Sequence, residues 1–204
     1  MGLYEQRILP RIVDFTCGFK EYHPLRRRAC AGLAGDVIEL GFGSGHNVPF
    51  YPSAVSGVAA VEPSDLAWRL AGARVQGSSV PVRRAGLDGQ HLPFDEDSFD
   101  MALSTWTLCT IPDVAAALAE VRRVLRPGGQ LHFLEHGLAP DERVQRWQRR
   151  LDPIQQRVAG GCHFTRPIAK LITTAGFVIT ELDEFYQAGP KVATADSLGV
   201  AESP

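Results

Sequence analysis

An excess of charge of either sign is missing from this chain of 204 residues, since Lys+Arg 21 against Asp+Glu 23 leaves a formal net charge of -2. There is no overall basic field to hold a phosphate backbone, so nucleic acid is not expected as a partner. Cysteine is scarce and scattered. Cys17, Cys30, Cys109 and Cys162 form no CxxC pair, which signals neither a zinc site nor a disulfide framework; free thiols and no metal are expected. A membrane-spanning run is missing too. The longest uncharged stretch, Leu40 to Val61, is broken by four Gly, two Pro, His46 and Asn47. No secretory signal opens the chain, because Glu5, Arg7, Arg11, Asp14 and Lys20 interrupt the first residues, and Gln6 spoils the acylation pattern that Met1-Gly2 begins. A cytoplasmic location is expected. Internal repeats and linker-like tracts are also lacking, and 45% hydrophobic residues suit one core, so a single domain over 1–204 is expected.

The periodicity supplies the organisation. Residues 3–34 predict two helical segments, the first with Leu3, Ile8, Ile12, Val13 and Phe15 apolar, the second after Pro24 with the run Arg26-Arg27-Arg28 read as a solvated face. From Gly35 on, short apolar runs alternate with helical patterns, as in βα units around a largely parallel sheet. Strands are predicted at Val37–Leu40, Gly57–Val61, Val80–Ala85, Phe99–Ser104 and Gln130–Glu135, with helices at Asp65–Arg74 and Asp113–Leu125. The second helix starts after Pro112-Asp113 and is expected to stop at Pro127-Gly128-Gly129. Beyond Glu135 the pattern predicts helices at Asp141–Val158 and Arg166–Ala175, a strand at Phe177–Tyr186 and a last strand in Thr194–Ala201.

The segment VIELGFGSGHN, Val37 to Asn47, carries the chemistry. It sets an acidic residue at a strand end and glycines at 41, 43 and 45, where a turn without Cβ atoms lets backbone N–H groups meet a ligand beyond the sheet's carboxyl edge. The spacing of Gly41, Gly43 and Gly45 is GxGxG, not the dinucleotide GxGxxG, and Glu39 stands just before it. A carboxylate there repels a pyrophosphate but accepts a hydrogen bond from an ammonium group. Glu62, ending the next strand and followed by Pro63, can accept both hydroxyls of a ribose. An amino group and a ribose together suggest S-adenosyl-L-methionine, with S-adenosyl-L-homocysteine as the product, and disfavour a nicotinamide reductase.

On these residues the chain resembles the class I S-adenosylmethionine-dependent methyltransferases, from about Gly35 to His136. LDGQHLPFDEDSFD, Leu87 to Asp100, looks like the family stretch in which an Asp contacts the adenine amino group; that position is Asp88, with Gly89 beside it. Gly89-Gln90 replaces the usual Ala-Glu, so the resemblance implies a backbone contact with adenine and a different side-chain interaction. RRVLRPGGQLHFLEH, Arg122 to His136, is similar to the helix, turn and fifth strand of the ubiquinone-biosynthesis and "type 11" members. STWTLCTIPD, FLEH and GGCHFTRP resemble the small-molecule, thiol-methylating subgroup. The resemblance implies a Rossmann-like three-layer α/β sandwich: a seven-stranded, mostly parallel sheet with an antiparallel last strand. It also implies a helical cap over 1–34, a cofactor core over 35–136 and substrate-side elements over 137–204.

Individual residues follow. Asn47 and His46 are read as beginning a helix, Asn47 as a local cap with a carboxylate contact. Ser104 and Thr105 end the fourth strand, facing the methyl donor, and Trp106 reads equally as plain core. Cys109 reads as a packed thiol in preference to a nucleophile. His136 and His163 are candidate proton acceptors or structural hydrogen-bonders, and Cys162-His163 a candidate nucleophilic pair. The expected function is methyl transfer to a small apolar acceptor, thiol first. A carbon- or oxygen-methylating enzyme of quinone or secondary metabolism and a non-catalytic cofactor-binding scaffold are the alternatives. Oligomeric state is not legible in these residues.

Overall fold

The computed structural model describes residues 4–204, so the readings that involve Met1, Gly2 and Leu3 lie outside the described residues. A π-helical turn at Tyr4–Ile8 runs into α1, Leu9–Cys17, and a 3₁₀ turn at Lys20–Tyr22 runs into α2, His23–Cys30. The expected helical prelude is therefore broken into shorter pieces. Pro10 and Pro24 each sit in a first turn, where a missing N–H costs nothing. The alternating part follows as β1 Gly35–Leu40, β2 Val55–Val61, α3 Asp65–Gln76, β3 Val82–Gly86, β4 Phe99–Thr105, α4 Val114–Val124 and β5 Leu125–His136. The remainder is α5 Glu142–Val158, α6 Ile168–Thr174, β6 Val178–Tyr186 and β7 Ala195–Glu202.

The seven strands form one sheet in the order β3-β2-β1-β4-β5-β7-β6. The pairs β3–β2, β2–β1, β1–β4 and β4–β5 are parallel, and β7 runs antiparallel between β5 and β6. The central strands are covered on both faces, which explains why they read as unbroken apolar runs. Alternation splits them between two cores. Ile38, Leu40, Phe133 and Leu131 pack with Leu118 and Val121 of α4 and Ile172 of α6. Val37, Val58, Leu103 and Leu134 pack with Ala29 and Cys30 of α2 and Ala71 of α3. Helix starts follow local chemistry: the Ser64 side chain accepts from Ala67 N, and Asp113 accepts from Ala116 N.

Three local expectations are corrected. His46 and Asn47 lead not into an α-helix but into a short 3₁₀ turn at Val48–Phe50, to which Pro49 and Pro52 confine the chain. The helix α4 stops at Val124 and not at Pro127-Gly128-Gly129, because Leu125 already pairs with Phe99 as strand. The Arg26-Arg27-Arg28 run is not one solvated face, since Arg26 is buried while Arg27 and Arg28 are exposed. Among the described residues no helix is long and apolar enough to cross a membrane.

The last strand is tightly seated. A Cβ on Gly199 would collide with the Glu181 carbonyl oxygen of β6 and come within 2.7 Å of the Phe133 ring. Gly199→Ala is therefore expected to destabilise the chain by about 1–3 kcal/mol in denaturant unfolding, whereas Gly72→Ala in α3, where an added Cβ would meet nothing within 4 Å, should not destabilise it.

Candidate active site

Strand order reverses between β1 and β4, which opens a crevice beyond their carboxyl ends. A cavity of about 900 Å³ lies there, roofed by Leu9, Pro10, Val13 and Cys17 of α1. The β2 and β3 side of the cavity is lined by Gly41, Gly43, Ser44, Glu62, Pro63, Asp88 and Gly89. The β4 and β5 side carries Trp106, Cys109, His136, Cys162 and Phe164, with Asp196 from β7.

The glycine loop leaves β1 with positive φ at Gly41, Gly43 and Gly45, a conformation that L side chains rarely adopt. At Gly41 an added Cβ would also strike the Thr107 side chain. At Gly43 it would meet nothing closer than the Gly41 carbonyl oxygen at 3.8 Å, so the backbone there opens onto the cavity. Gly45 packs against Phe42 and Ala71 and is not part of the lining. Glu62 is buried, and its two oxygens accept from Gly43 N and Ser64 N, both at 2.7 Å. Burial nevertheless raises its pKa. A carboxylate so oriented keeps a second lone pair on each oxygen for a ligand. Asp88 lines the cavity while its Oδ1 accepts from Gln90 N at 2.8 Å; that bond first of all holds its carboxyl below the usual range.

Several expected contact residues lie beneath the cavity and not on its wall. Glu39 is 1% exposed and accepts from Asn47 Nδ2 at 3.0 Å and from the Tyr51 hydroxyl. Asn47 also donates to Thr105 Oγ1 at 2.9 Å and accepts from Arg26 Nη1 at 2.8 Å. Both Glu39 oxygens thus meet protein donors, and Asn47, at the N-cap position of the 3₁₀ turn, spends its side chain on this network and not on a capping bond. Ser104 donates to Glu135 Oε1 at 2.6 Å, and Glu135 also accepts from Thr107 N, so Ser104 braces the end of β4. His46 binds Asp14 of α1, with Nε2 at 3.0 Å from its carbonyl oxygen, and Arg74 joins the same Asp14 to Ser44. The roof is thereby latched to the glycine loop.

The two candidate histidines part company. His163 does not line the cavity; its Nδ1 faces Asp152 Oδ2 at 3.3 Å, so Cys162 and His163 are no pair. The partner of Cys162 is His136, with Sγ and Nδ1 3.6 Å apart. Cys109 completes the group. The proximity of Cys109, followed by that of His136, draws the Cys162 thiol down, while Cys109 is pushed up. Burial pulls His136 down, but its contact with Cys162 outweighs this and the net shift is upward. Among the described residues His136 Nε2 is buried without a hydrogen-bond partner. Trp106 adopts a left-handed φ of 50°, donates Nε1–H to Asp196, and stacks under the Arg26 guanidinium at 4.7 Å. Sequence reasoning missed Arg26, Tyr51 and Asp196, because nothing local marks a lone inward residue in a basic run, a proline-flanked loop or a weakly apolar tail.

Comparison with known proteins decides the family. A model described as "Methyltransferase domain" matches residues 38–133. The chain is 32% identical to the human thiol S-methyltransferase TMT1A over 181 residues, covering 81% of this chain and 73% of that protein. The chain belongs to the class I S-adenosylmethionine-dependent methyltransferases. It is also 32% identical to the rat thiol S-methyltransferase TMT1B, over 72% of this chain, and spans 62% of that relative's length. A solved S-adenosylmethionine-dependent methyltransferase from Mesorhizobium loti superposes with a TM-score of 0.64 at 22% identity, covering 89% of this chain and 97% of that one; this shows the fold. The methyl donor of the family is S-adenosylmethionine, and the open backbone at Gly43 beside the oriented Glu62 carboxylate fits it.

Two results are expected from these contacts. Glu62→Ala should weaken S-adenosylhomocysteine binding about tenfold to a hundredfold in calorimetry; unchanged affinity would remove Glu62 from the site. Burial raises Glu39 from 4.5 to about 7, against the opposing pull of Tyr51, Asn47 and Arg26. The folded chain thus holds this proton more tightly than the unfolded chain, so the stabilisation is fully present below 4.5 and is lost as pH rises through about 7. Glu39→Gln should flatten that decline, on the order of 3 kcal/mol, in melts compared at mildly acidic and mildly alkaline pH.

Proposed function

We propose that this chain transfers the methyl group of S-adenosylmethionine to the sulfur of a small, apolar thiol. The observation that carries this reading is the β4 and β5 side of the cavity. There the Phe164 ring packs edge-on against His136, with centroids 5.2 Å apart, beside the soft, weakly polar thiols of Cys109 and Cys162. The thiol S-methyltransferases of rat and human at 32% identity support the same acceptor class.

The donor, when bound, supplies an activated methyl group on a sulfonium and leaves as S-adenosylhomocysteine. The chain's own part is alignment and exclusion of water. Gly41, Gly43, Glu62, Pro63, Asp88 and Gly89 would hold the donor. Gly45, Glu39, Asn47, Ser104 and Thr105 act behind them, as packing and hydrogen-bonded support for the loop and the end of β4. The roof of α1, latched through Asp14 to His46 and Arg74, keeps the acceptor side dry. A thiol, with a pKa of about 8.5, is already a few per cent ionised near neutrality, so it makes a smaller demand on the chain than a phenol with a pKa of about 10.

The test is methyl transfer from labelled S-adenosylmethionine to a panel of small alkyl and aryl thiols beside a panel of phenols and quinols. Thioether products are expected, with the thiols turned over at least tenfold faster. Products from the quinols alone would overturn the acceptor assignment, and donor binding without any product would leave a scaffold. His163→Ala, which changes a residue outside the cavity, should leave the thiol KM unchanged.

A further inference from the structure

Cys109 comes from the turn after β4, His136 ends β5, and Cys162 lies in the loop after α5. Three segments remote in sequence thus bring two thiols and an imidazole to one side of one cavity. Their ligand atoms all lie within 4.8 Å of one another. Cys162 Sγ and His136 Nδ1 are separated by 3.6 Å. A sulfur and an imidazole nitrogen sharing one tetrahedral zinc, with bonds of about 2.3 and about 2.05 Å, also stand about 3.6 Å apart. The scaffold around them is held firmly. His163 N donates to the Cys109 carbonyl oxygen at 2.9 Å, and Asp152 fixes the loop by accepting from Phe164 N at 2.6 Å.

We infer that Cys109, His136 and Cys162 form a three-ligand site for a thiophilic divalent ion of the zinc type, with its fourth position open to the cavity. Two thiolates and an imidazole with one free position are the donor set of a catalytic zinc centre, not of a closed structural one. The assignment rests on the thiol reading above and deepens it, because the open position would take the acceptor sulfur. Two thiolates balance the ion's charge, and a third from the acceptor leaves one negative charge, with the Arg166 guanidinium donating to the carbonyl oxygen of Leu108, the residue before Cys109. The acceptor S–H bond breaks on coordination and the proton passes to solvent. The acceptor sulfur's electron pair then forms its bond to the methyl carbon, while the methyl–sulfonium bond breaks and its pair stays on the departing sulfur. The neutral thioether is a weaker ligand than the thiolate and leaves. No change of oxidation state is involved, and His136 is a ligand in this scheme, not a proton acceptor.

The experiment titrates cobalt(II), a spectroscopic probe for zinc sites, into metal-stripped chain kept reduced with a phosphine. Near-stoichiometric binding is expected, with sulfur-to-cobalt charge-transfer absorption and the visible bands of a tetrahedral ion, reversed by added zinc. Cys162→Ser and His136→Ala should lose the charge-transfer signal or weaken binding at least tenfold. Cys30→Ala, in α2 and not among the residues that line the cavity, should retain it, and circular dichroism would confirm that each variant is folded. Absence of the bands in the folded wild type, or equal bands in Cys162→Ser, would overturn the site. Thiol methylation by the metal-stripped chain separates the two readings. Full turnover by the stripped chain without cobalt binding would remove the metal and keep the thiol acceptor, whereas cobalt binding with no thiol turnover even after zinc is restored would keep the site and remove the acceptor.

Discussion

A carboxylate buried at the end of β1 is the constraint on which the rest of the site depends. Glu39 is taken out of water where the end of β1, the residues after the glycine loop and α2 meet through Asn47 and Arg26. It is tolerated because Asn47 and Tyr51 donate to it and Arg26 reaches the same Asn47. A buried ionisable group of this kind contributes little net stability, but removing one of its partners leaves an uncompensated charge. The network therefore makes the loop, α2 and the end of β4 interdependent. Through Arg26 it also fixes Trp106, held in a sparsely populated backbone conformation of the sort that costs of order 1–3 kcal/mol and persists only where its surroundings over-determine it.

With that base fixed, the cavity divides by chemistry along the sheet order. Toward β2 and β3 it offers backbone amides, an open glycine Cα and two carboxylates; toward β5 it offers sulfur, imidazole, aromatic surface and the Asp196 carboxyl. The first set matches a polar donor that needs orientation, and the second a soft acceptor that needs dryness. The roof helix α1 lies over both, and its Asp14 joins it to the glycine loop through His46 and Arg74.

Much of this was legible in the residues. The GxGxG spacing after an apolar strand, Glu62 at the next strand end and the Asp88-Gly89 turn are local signals, and the structure gathers the three around one cavity. The protein partners of Glu39, Asn47, Ser104 and Thr105 were not legible, because a polar residue at a strand end reads the same whether it faces a ligand or a neighbouring side chain. Arg26 was obscured by Arg27 and Arg28, although helical periodicity turns only one of three consecutive residues inward. The last strand was faint for a physical reason: squeezed between β5 and β6, it needs Ser197, Gly199 and Ala201, and small residues carry a weak hydrophobic signal. The grouping of Cys109, His136 and Cys162 depends on how β4, β5 and the loop after α5 come together, and no sequence spacing encodes that.

Hydrogen–deuterium exchange with and without S-adenosylhomocysteine tests most directly the claim that the crevice at the β1–β4 reversal is the donor site. The expected result is slowed exchange at the amides of residues 41–45 and 62–64 and in α1, with the β6 edge unchanged. Protection confined to any other region, with the glycine loop unaffected by a ligand that demonstrably binds, would contradict it.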